Sequence, residues 1–182
     1  AWLPGVKGAE ALSKVILGEK NPGGKLPVTV PASVGQVPIY YNHRTGSGYD
    51  SEKGSLIMGS GYVDGTNFPL YYFGYGLSYT SFELSGFEIA EKQIPTDGVI
   101  TVSCKVRNTG DREGDETVQI YTYFRDAWVT RPVKQLSGFA RVKLGAGEEK
   151  TVVFRLDTAQ LGYYNEEMEF VVEPGRLDVM IG

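Results

Sequence analysis

The stretch "YYNHRTG", residues 40–46, places three hydrogen-bonding side chains in a row. Asn42, His43 and Arg44 offer neutral and charged donors that suit the hydroxyl groups of a sugar. The surrounding sequence is rich in glycine and polar residues and predicts a long irregular loop, a common place for binding residues. The alternative is a solvated pair of loop residues, or a histidine that satisfies loop backbone groups. Asn42, His43 and Arg44 are the candidate substrate-binding residues, and both interpretations stay open.

The single cysteine and the single histidine limit the other chemistry that the chain could perform. Cys104 lies in "VSCKV", where Val102, Cys104 and Val106 share one face of a predicted strand. We therefore expect Cys104 to be a buried small hydrophobe and not a nucleophile, since His43 is distant in sequence. Scattered carboxylates without ligand spacing predict no metal site, and the glycines of "GSGYVDGTNF" lack the strand-to-helix context of a phosphate loop. No cofactor is expected.

Composition limits the classes of partner. The 182 residues carry a net charge of −4, and no basic patch is visible. This balance argues against nucleic acid and anionic membrane surfaces, because both normally require clustered Lys and Arg. The apolar runs are only a few residues long, far below the roughly 20 needed to cross a bilayer.

Two regions of different periodicity must position these residues. The first predicts a helix from Val6 to Leu17, a short strand from Leu26 to Val30, and then the long loop. After Ser81 the apolar residues alternate with period 2 to the end of the chain. The predicted strands are Phe82–Ile89, Val99–Arg107, Thr117–Phe124, Leu136–Leu144, Lys150–Leu156 and Arg176–Ile181.

This succession of strands indicates a mainly β fold, an antiparallel β-sandwich of immunoglobulin or fibronectin type III character. Its predicted inward residues are Val102, Val106, Val118, Ile120, Val152, Phe154, Leu177, Val179 and Ile181. The first region cannot form a core from one helix and one strand. We expect residues 1–66 to be the tail of a larger α/β sandwich domain, residues 67–81 an aromatic linker, and residues 82–182 the fibronectin type III-like domain.

The aromatic stretch "PLYYFGYGLSYTSFE" begins at Pro69 and runs into the first predicted strand. Its glycines allow close approach of other backbone segments, which favours a seam between the two regions over an exposed sugar platform. The seam would bury rings and leave hydroxyl groups at its margin. Sugar stacking remains an alternative for one or two tyrosines. The residues concerned are Tyr71, Tyr72, Phe73, Tyr75 and Tyr79.

Four segments in order, "AWLPGVKGAEALSKVILGEKNPGGKLPVTVPASVGQVPIYYN", the aromatic stretch, "RPVKQLSGFARVKL" and "EPGRLDVMIG", resemble the C-terminal part of glycoside hydrolase family 3. The likeness is closest to the periplasmic β-glucosidase type. In that family an N-terminal (β/α)8 barrel with the nucleophilic Asp precedes an α/β sandwich domain and a fibronectin type III-like domain. One departure is Lys7 in "PGVKGA", where the family usually has an acidic residue.

The resemblance implies hydrolysis of terminal β-linked glucose or xylose by a retaining mechanism in the complete enzyme. Its partners would be a β-glucoside or oligosaccharide substrate and the missing barrel and α/β portion. The same resemblance places the nucleophile in the barrel and the acid/base Glu before Ala1, and suggests a periplasmic or secreted location. It also implies that loops of the second domain help to wall the pocket.

Carboxylate pairs within the chain do not replace the missing ones. Retaining hydrolysis needs two carboxyl groups about 5 to 5.5 Å apart. The neighbours Glu148 with Glu149 and Glu166 with Glu167 are expected to be solvated turn charges, and nothing pairs Asp50 with Asp64 in the long loop. We assign no catalytic residue and expect the isolated chain to be inactive. The alternative function is a stand-alone, non-catalytic carbohydrate-binding or interaction module, which aromatics in line on one sandwich face would favour.

Overall fold

A computed structural model of the chain describes residues 2–45 and 66–182. One α-helix, α1, and eight strands, β1 to β8, follow one another, with short 3-10 turns at Val34–Gln36 and Thr158–Leu161. The bounds are α1 Gly8–Ile16, β1 Phe82–Ile89, β2 Val99–Asn108, β3 Gly114–Phe124, β4 Gln135–Leu144, β5 Glu149–Asp157, β6 Tyr163–Tyr164, β7 Phe170–Val171 and β8 Leu177–Ile181.

The strands form an antiparallel sandwich, as the alternation predicts. One sheet has the order β1-β2-β5, the other has the order β4-β3-β8, and β6 pairs with β7 in a small hairpin. Opposite partners such as Val102 with Phe154 and Cys104 with Val152 place inward residues of β2 and β5 side by side. All six predicted strands are present, and eleven of their twelve bounds agree with the structure to within one residue; only the start of β3 differs by more, since it lies three residues earlier than predicted. The prediction of a mainly β fold is confirmed.

The core lies between the two sheets. Six of the predicted inward residues, Val102, Val106, Val118, Ile120, Val152 and Phe154, are buried, together with Ile100, Leu144 and Leu156, which the alternation did not identify. The three predicted residues of β8 are only partly buried because β8 is an edge strand. Cys104 is 1% exposed and lies in this core, as expected, and burial raises the pKa of its thiol.

A buried amide joins four segments at one end of the sandwich. Asn108 is fully buried, and its Nδ2 donates to the carbonyl oxygens of Arg112 at 2.8 Å and Leu144 at 3.2 Å. Its Oδ1 accepts from the Thr80 hydroxyl at 2.7 Å and the Gly110 N–H at 3.1 Å. Because each polar atom has two partners, hydrogen bonds compensate for the burial of the amide, and it stabilises the turn after β2.

The first region buries few of its own apolar side chains. Helix α1 begins two residues later than predicted and ends at Ile16. Its apolar side chains remain outside the core: Leu12 is 51% exposed and Ile16 is 69% exposed. Among the described residues no helix is long and apolar enough to cross a membrane.

The predicted strand from Leu26 to Val30 is wrong. Only its two ends bond to the aromatic stretch, where the Leu26 N–H donates to the Tyr75 carbonyl at 2.8 Å and the Val30 N–H to the Tyr71 carbonyl at 2.8 Å. Pro27 has no N–H and so cannot continue a ladder. The segment therefore contributes one isolated bridge, between Val30 and Tyr71, in place of a strand.

The aromatic stretch connects the first region to strand β3 of the sandwich. Gly74 has a φ of +81°, and a Cβ atom there would lie 2.5 Å from the Gln119 side-chain oxygen. Only glycine fits this left-handed conformation and this close approach. The Gln119 amide donates to the Gly74 carbonyl at 3.1 Å, and Lys25 pairs with Glu116 at 2.7 Å in a partly buried position. Hydrogen bonds and an ion pair thus hold the first region against β3.

Candidate functional site

The three predicted binding residues lie together in a cavity of about 490 Å³. Two residues from the loop between β3 and β4 complete its described wall. The described residues that line it are Tyr40, Asn42, His43, Arg44, Thr130 and Pro132. The cavity thus combines the first region with the sandwich.

Backbone contacts with the sandwich hold the strip that carries Asn42, His43 and Arg44. The Val133 N–H donates to the His43 carbonyl oxygen at 2.9 Å, and Arg44 forms an isolated antiparallel bridge with Pro132. These two contacts fix the register of one segment against the other. They also place Thr130 and Pro132 opposite the predicted residues, which the sequence alone did not indicate.

His43 differs from its two neighbours in exposure. Its side chain is 7% exposed, and Nδ1 lies 3.1 Å from the Arg44 carbonyl oxygen. A carbonyl oxygen can only accept, so Nδ1 carries the proton and donates. This contact fits the alternative in which the histidine satisfies loop backbone groups. Asn42 and Arg44 are exposed and present their polar groups at the surface of the cavity.

An aromatic cluster packs against Tyr41, the residue before Asn42, His43 and Arg44. The rings of Tyr41 and Phe73 stack with centroids 4.0 Å apart, and the Phe73 ring meets Tyr121 of β3 edge-on at 6.5 Å. The Tyr41 hydroxyl accepts from the Leu136 N–H at 3.2 Å. Because Tyr41 is the residue before Asn42, these contacts fix the backbone from which the side chain of Asn42 extends.

The other tyrosines of the aromatic stretch have different environments. The Tyr79 hydroxyl donates to the Val15 carbonyl of α1 at 2.7 Å, and the guanidinium of Arg112 lies 5.4 Å from the centre of its ring. Tyr71 and Tyr75 stack on each other at 5.2 Å, with 42% and 40% of their surfaces exposed. Phe73 and Tyr79 therefore make side-chain contacts across the predicted seam, but Tyr79 is itself 45% exposed, similar to Tyr71 and Tyr75.

The β3–β4 loop, residues 125–134, is anchored by a partly buried arginine, Arg131, that sequence reasoning missed. An Arg131 guanidinium nitrogen donates to the Leu161 carbonyl at 3.0 Å, and its central carbon lies 4.9 Å from the centre of the Tyr163 ring. Burial lowers the pKa of Arg131, and the Coulombic interaction with the Tyr163 hydroxyl acts in the opposite direction. No periodic signal marks a contact across 30 residues of sequence.

Tyr163 forms the other half of this anchor. Its side chain is 7% exposed, and its hydroxyl donates to the Glu173 carboxylate. Burial and then the bond to Glu173 raise the pKa of Tyr163, while a hydrogen bond from the Trp128 backbone acts in the opposite direction. Tyr163 therefore contacts Arg131 of the β3–β4 loop through its ring and Glu173, two residues after β7, through its hydroxyl.

The remaining predicted residues do not join the cavity. Glu148, Glu149, Glu166 and Glu167 are exposed at turns or strand ends, as expected. Glu148 accepts from the Gly145 N–H and pairs with Lys150, and these contacts lower the pKa of its carboxyl. The acidic residues at positions 50 and 64 lie outside the described residues. Within residues 2–45 and 66–182, no group of three His, Cys, Asp or Glu side chains could hold a metal ion.

Comparisons with known proteins cover both regions. The glycosyl hydrolase family 3 C-terminal domain matches residues 1–79, and the fibronectin type III-like domain matches residues 116–182. A periplasmic beta-glucosidase of Salmonella typhimurium is 45% identical over 182 residues, which are 100% of this chain and 24% of that protein. Thermostable beta-glucosidase B of Acetivibrio thermocellus is 40% identical over 184 residues, 100% of this chain and 24% of that protein.

A solved structure agrees with these matches. The crystal structure of a beta-glucosidase from Listeria innocua in complex with gluconolactone superposes with a TM-score of 0.90 at 39% identity, over 100% of this chain and 25% of that one. The chain thus spans about a quarter of the length of the relatives that it matches. The predicted resemblance is confirmed: the chain belongs to glycoside hydrolase family 3 and corresponds to the C-terminal region of its members.

Proposed function

We propose that the chain is the C-terminal part of a β-glycosidase that hydrolyses terminal β-linked glucose or xylose. Its relatives include proteins named beta-glucosidase and beta-xylosidase. The observation that carries the proposal is the cavity in which Asn42, His43 and Arg44 face the β3–β4 loop. In the proposed enzyme, this cavity is one wall of the substrate pocket, and Asn42 and Arg44 donate to sugar hydroxyls.

The chemistry of the cavity supports a binding role without a catalytic one. The described residues that line it offer hydroxyl, amide, imidazole and guanidinium groups but no carboxylate. Retaining hydrolysis requires a nucleophilic carboxylate and an acid/base carboxyl on opposite sides of the scissile bond. In this proposal both belong to other parts of a longer protein, and the chain supplies pocket loops and a stabilising sandwich.

The exposed face of α1 supports a covalent or non-covalent partner of α/β type. Leu12, Ile16 and Leu17 are 51%, 69% and 72% exposed, although their spacing is that of a helix packed on one side. We propose that the rest of an α/β domain covers this face. The proposed division stays at residues 1–66, 67–81 and 82–182, and the relative's printed name supports a periplasmic location.

The alternative of a stand-alone carbohydrate-binding module has less support. Such a module would present aromatics in line on one face of the sandwich. Of the described residues in the two main sheets, the exposed aromatics are Phe87 in β1 and Phe139 in β4, which belong to different sheets. They cannot form one continuous platform.

Kinetics of the full-length protein with single substitutions would test the proposal. We expect Asn42→Ala to lower kcat/KM on aryl β-glucosides or β-xylosides about 5- to 10-fold, and Arg44→Ala roughly 10- to 100-fold, because a charged donor contributes more. Arg155→Ala is the matched control, since Arg155 is exposed on β5 and is not among the residues that line the cavity. Equal kinetics for Arg44→Ala and Arg155→Ala would remove Arg44 from the site.

An activity assay of the isolated 182-residue chain is the second test of the proposal. It should show no turnover on the same substrates, because the described cavity lacks both carboxyl groups. Turnover that a point substitution within this chain abolishes would contradict the proposal.

A further inference from the structure

An exposed tryptophan lies beside the candidate site. Trp128 is on the β3–β4 loop, and its side chain is 87% exposed. Thr130, two residues later, lines the cavity. Two residues of extended chain span at most about 7 Å, so the backbone of Trp128 lies at the margin of the cavity.

The backbone that carries this side chain is held on both sides. After Trp128, the Arg131 guanidinium fixes the loop through the Leu161 carbonyl and lies against the Tyr163 ring. Before Trp128, the Asp126 carboxylate accepts from the Arg176 guanidinium at 2.7 Å. An aromatic ring on a fixed loop loses little conformational freedom when a ligand binds, which favours a binding role.

The combination of groups identifies the chemical class of the ligand. A sugar ring has an apolar C–H face and a rim of hydroxyl groups. Asn42, Arg44 and Thr130 offer hydrogen-bonding groups in the cavity, and Trp128, two residues before Thr130, offers a large exposed apolar ring beside it. A flat aromatic group could use the tryptophan but would leave these polar groups without ligand partners.

We propose that Trp128 is a specificity-determining residue that stacks against the second sugar ring of a β-linked oligosaccharide, the ring that leaves during hydrolysis. This inference rests on the proposed function. A pocket encloses most of the surface of the ligand that it binds, whereas Trp128 is almost fully exposed. It therefore suits the ring beyond the scissile bond and not the terminal ring, which the catalytic carboxylates must surround.

The test uses the full-length protein and three substrates: a β-linked disaccharide of glucose, an aryl β-glucoside and methyl β-glucoside. Methyl β-glucoside has no second ring and serves as the reference. For Trp128→Ala we expect kcat/KM on the disaccharide to fall roughly 5- to 100-fold, by analogy with stacking of bases on aromatic rings, mainly through a higher KM. The other two substrates should change less than about twofold.

Two further variants separate stacking from structural damage. Trp128→Phe keeps an aromatic face and should retain most of the disaccharide activity. Phe139→Ala removes an exposed aromatic from strand β4 and should leave all three substrates unchanged. Equal losses of Trp128→Ala on the three substrates would overturn the proposal, because they would indicate a structural role.

The remaining outcomes are also decisive. A loss confined to the aryl β-glucoside would show that the tryptophan contacts an aromatic leaving group, and would overturn the assignment to a sugar. Unchanged disaccharide kinetics in Trp128→Ala would remove this inference and leave the proposed function intact. A full-length protein that hydrolyses none of the three substrates and no aryl β-xyloside would remove both.

Discussion

The guanidinium carbon of Arg131, in the β3–β4 loop, lies over the Tyr163 ring, 4.9 Å from its centre. This contact joins the loop that lines the candidate site to the short hairpin β6–β7. We expect Arg131→Ala to lower the free energy of unfolding by about 1 to 3 kcal/mol, since it removes a cation–π contact and a hydrogen bond to a carbonyl. Denaturant melts would measure this.

Arg131→Lys provides the comparison for that substitution. Lysine keeps the positive charge but lacks the planar fork that stacks on a ring and reaches the Leu161 carbonyl. It should recover less than half of the loss. Full recovery by lysine would show that charge alone stabilises the loop.

Asn108→Ala should be among the more damaging single substitutions in the sandwich. It removes the side chain that donates to Arg112 and Leu144 and accepts from Thr80 and Gly110. Buried groups left without partners cost about 1 to 3 kcal/mol, so we expect a loss in the upper half of that range. Urea midpoints should shift accordingly. Thr109→Ala, one residue later and exposed, should cost less than about 0.5 kcal/mol; similar losses for both would contradict this role for Asn108.

The aromatic stretch predicts unequal effects at two positions. Phe73 is half-buried between Tyr41 and Tyr121, whereas Tyr75 is 40% exposed. Truncation of a fully buried Phe costs about 3 to 5 kcal/mol, and we expect about 2 to 3 kcal/mol for Phe73→Ala because part of its ring is already solvated. Tyr75→Ala should cost about 1 kcal/mol or less. Equal shifts of the melting midpoint in the isolated chain would show that the two rings are equally buried.

Acid should weaken the contact between Asp126 and Arg176. Side-chain and then backbone hydrogen bonds from Arg176 lower the pKa of Asp126 to about 2. The folded-state pKa is below the unfolded value of about 3.9, so the stabilisation is complete above about pH 4 and is lost as the pH falls towards 2. The difference in urea midpoint between the native chain and Asp126→Asn should shrink over this range. Asp111→Asn controls for the change in net charge, and a difference that stays constant with pH would contradict the assignment.

Hydrogen exchange should separate α1 from the sandwich. In the isolated chain, amides of α1 should exchange quickly because Leu12 and Ile16 remain exposed, while amides of β2 around Cys104 should be strongly protected. In the full-length protein α1 should become protected. Strong protection of α1 in the isolated monomer would show that the first region folds without further elements.

The sandwich was predictable because apolar residues alternate along its central strands, most regularly in β2 and β5. The register of Val102 and Cys104 against Phe154 and Val152 follows from that alternation, and a shift by one residue would expose every apolar side chain. The segment from Leu26 to Val30 has the same local composition but contains Pro27, and its one bridge depends on Tyr71, far away in sequence. Local pattern could not reveal whether a partner strand exists.

The candidate site was only half predictable. The polarity of Asn42, His43 and Arg44 indicated one wall, because donors in a row are visible in the sequence. Thr130 was not identified, since its proximity to Arg44 depends on the bridge between Arg44 and Pro132 and on a loop held by Arg131. Contacts between residues that are distant in sequence do not appear in the hydrophobic periodicity.

Cys104 can report how often the sandwich opens, through the rate at which its thiol is labelled. It is the only cysteine in the sequence. Its side chain points from β2 into the core and is 1% exposed, and burial raises the pKa of its thiol. A thiol-specific reagent can therefore modify it only when the two sheets separate. The rate at which the label appears counts openings of the sandwich directly, in the isolated chain or in any longer protein whose other thiols have been replaced.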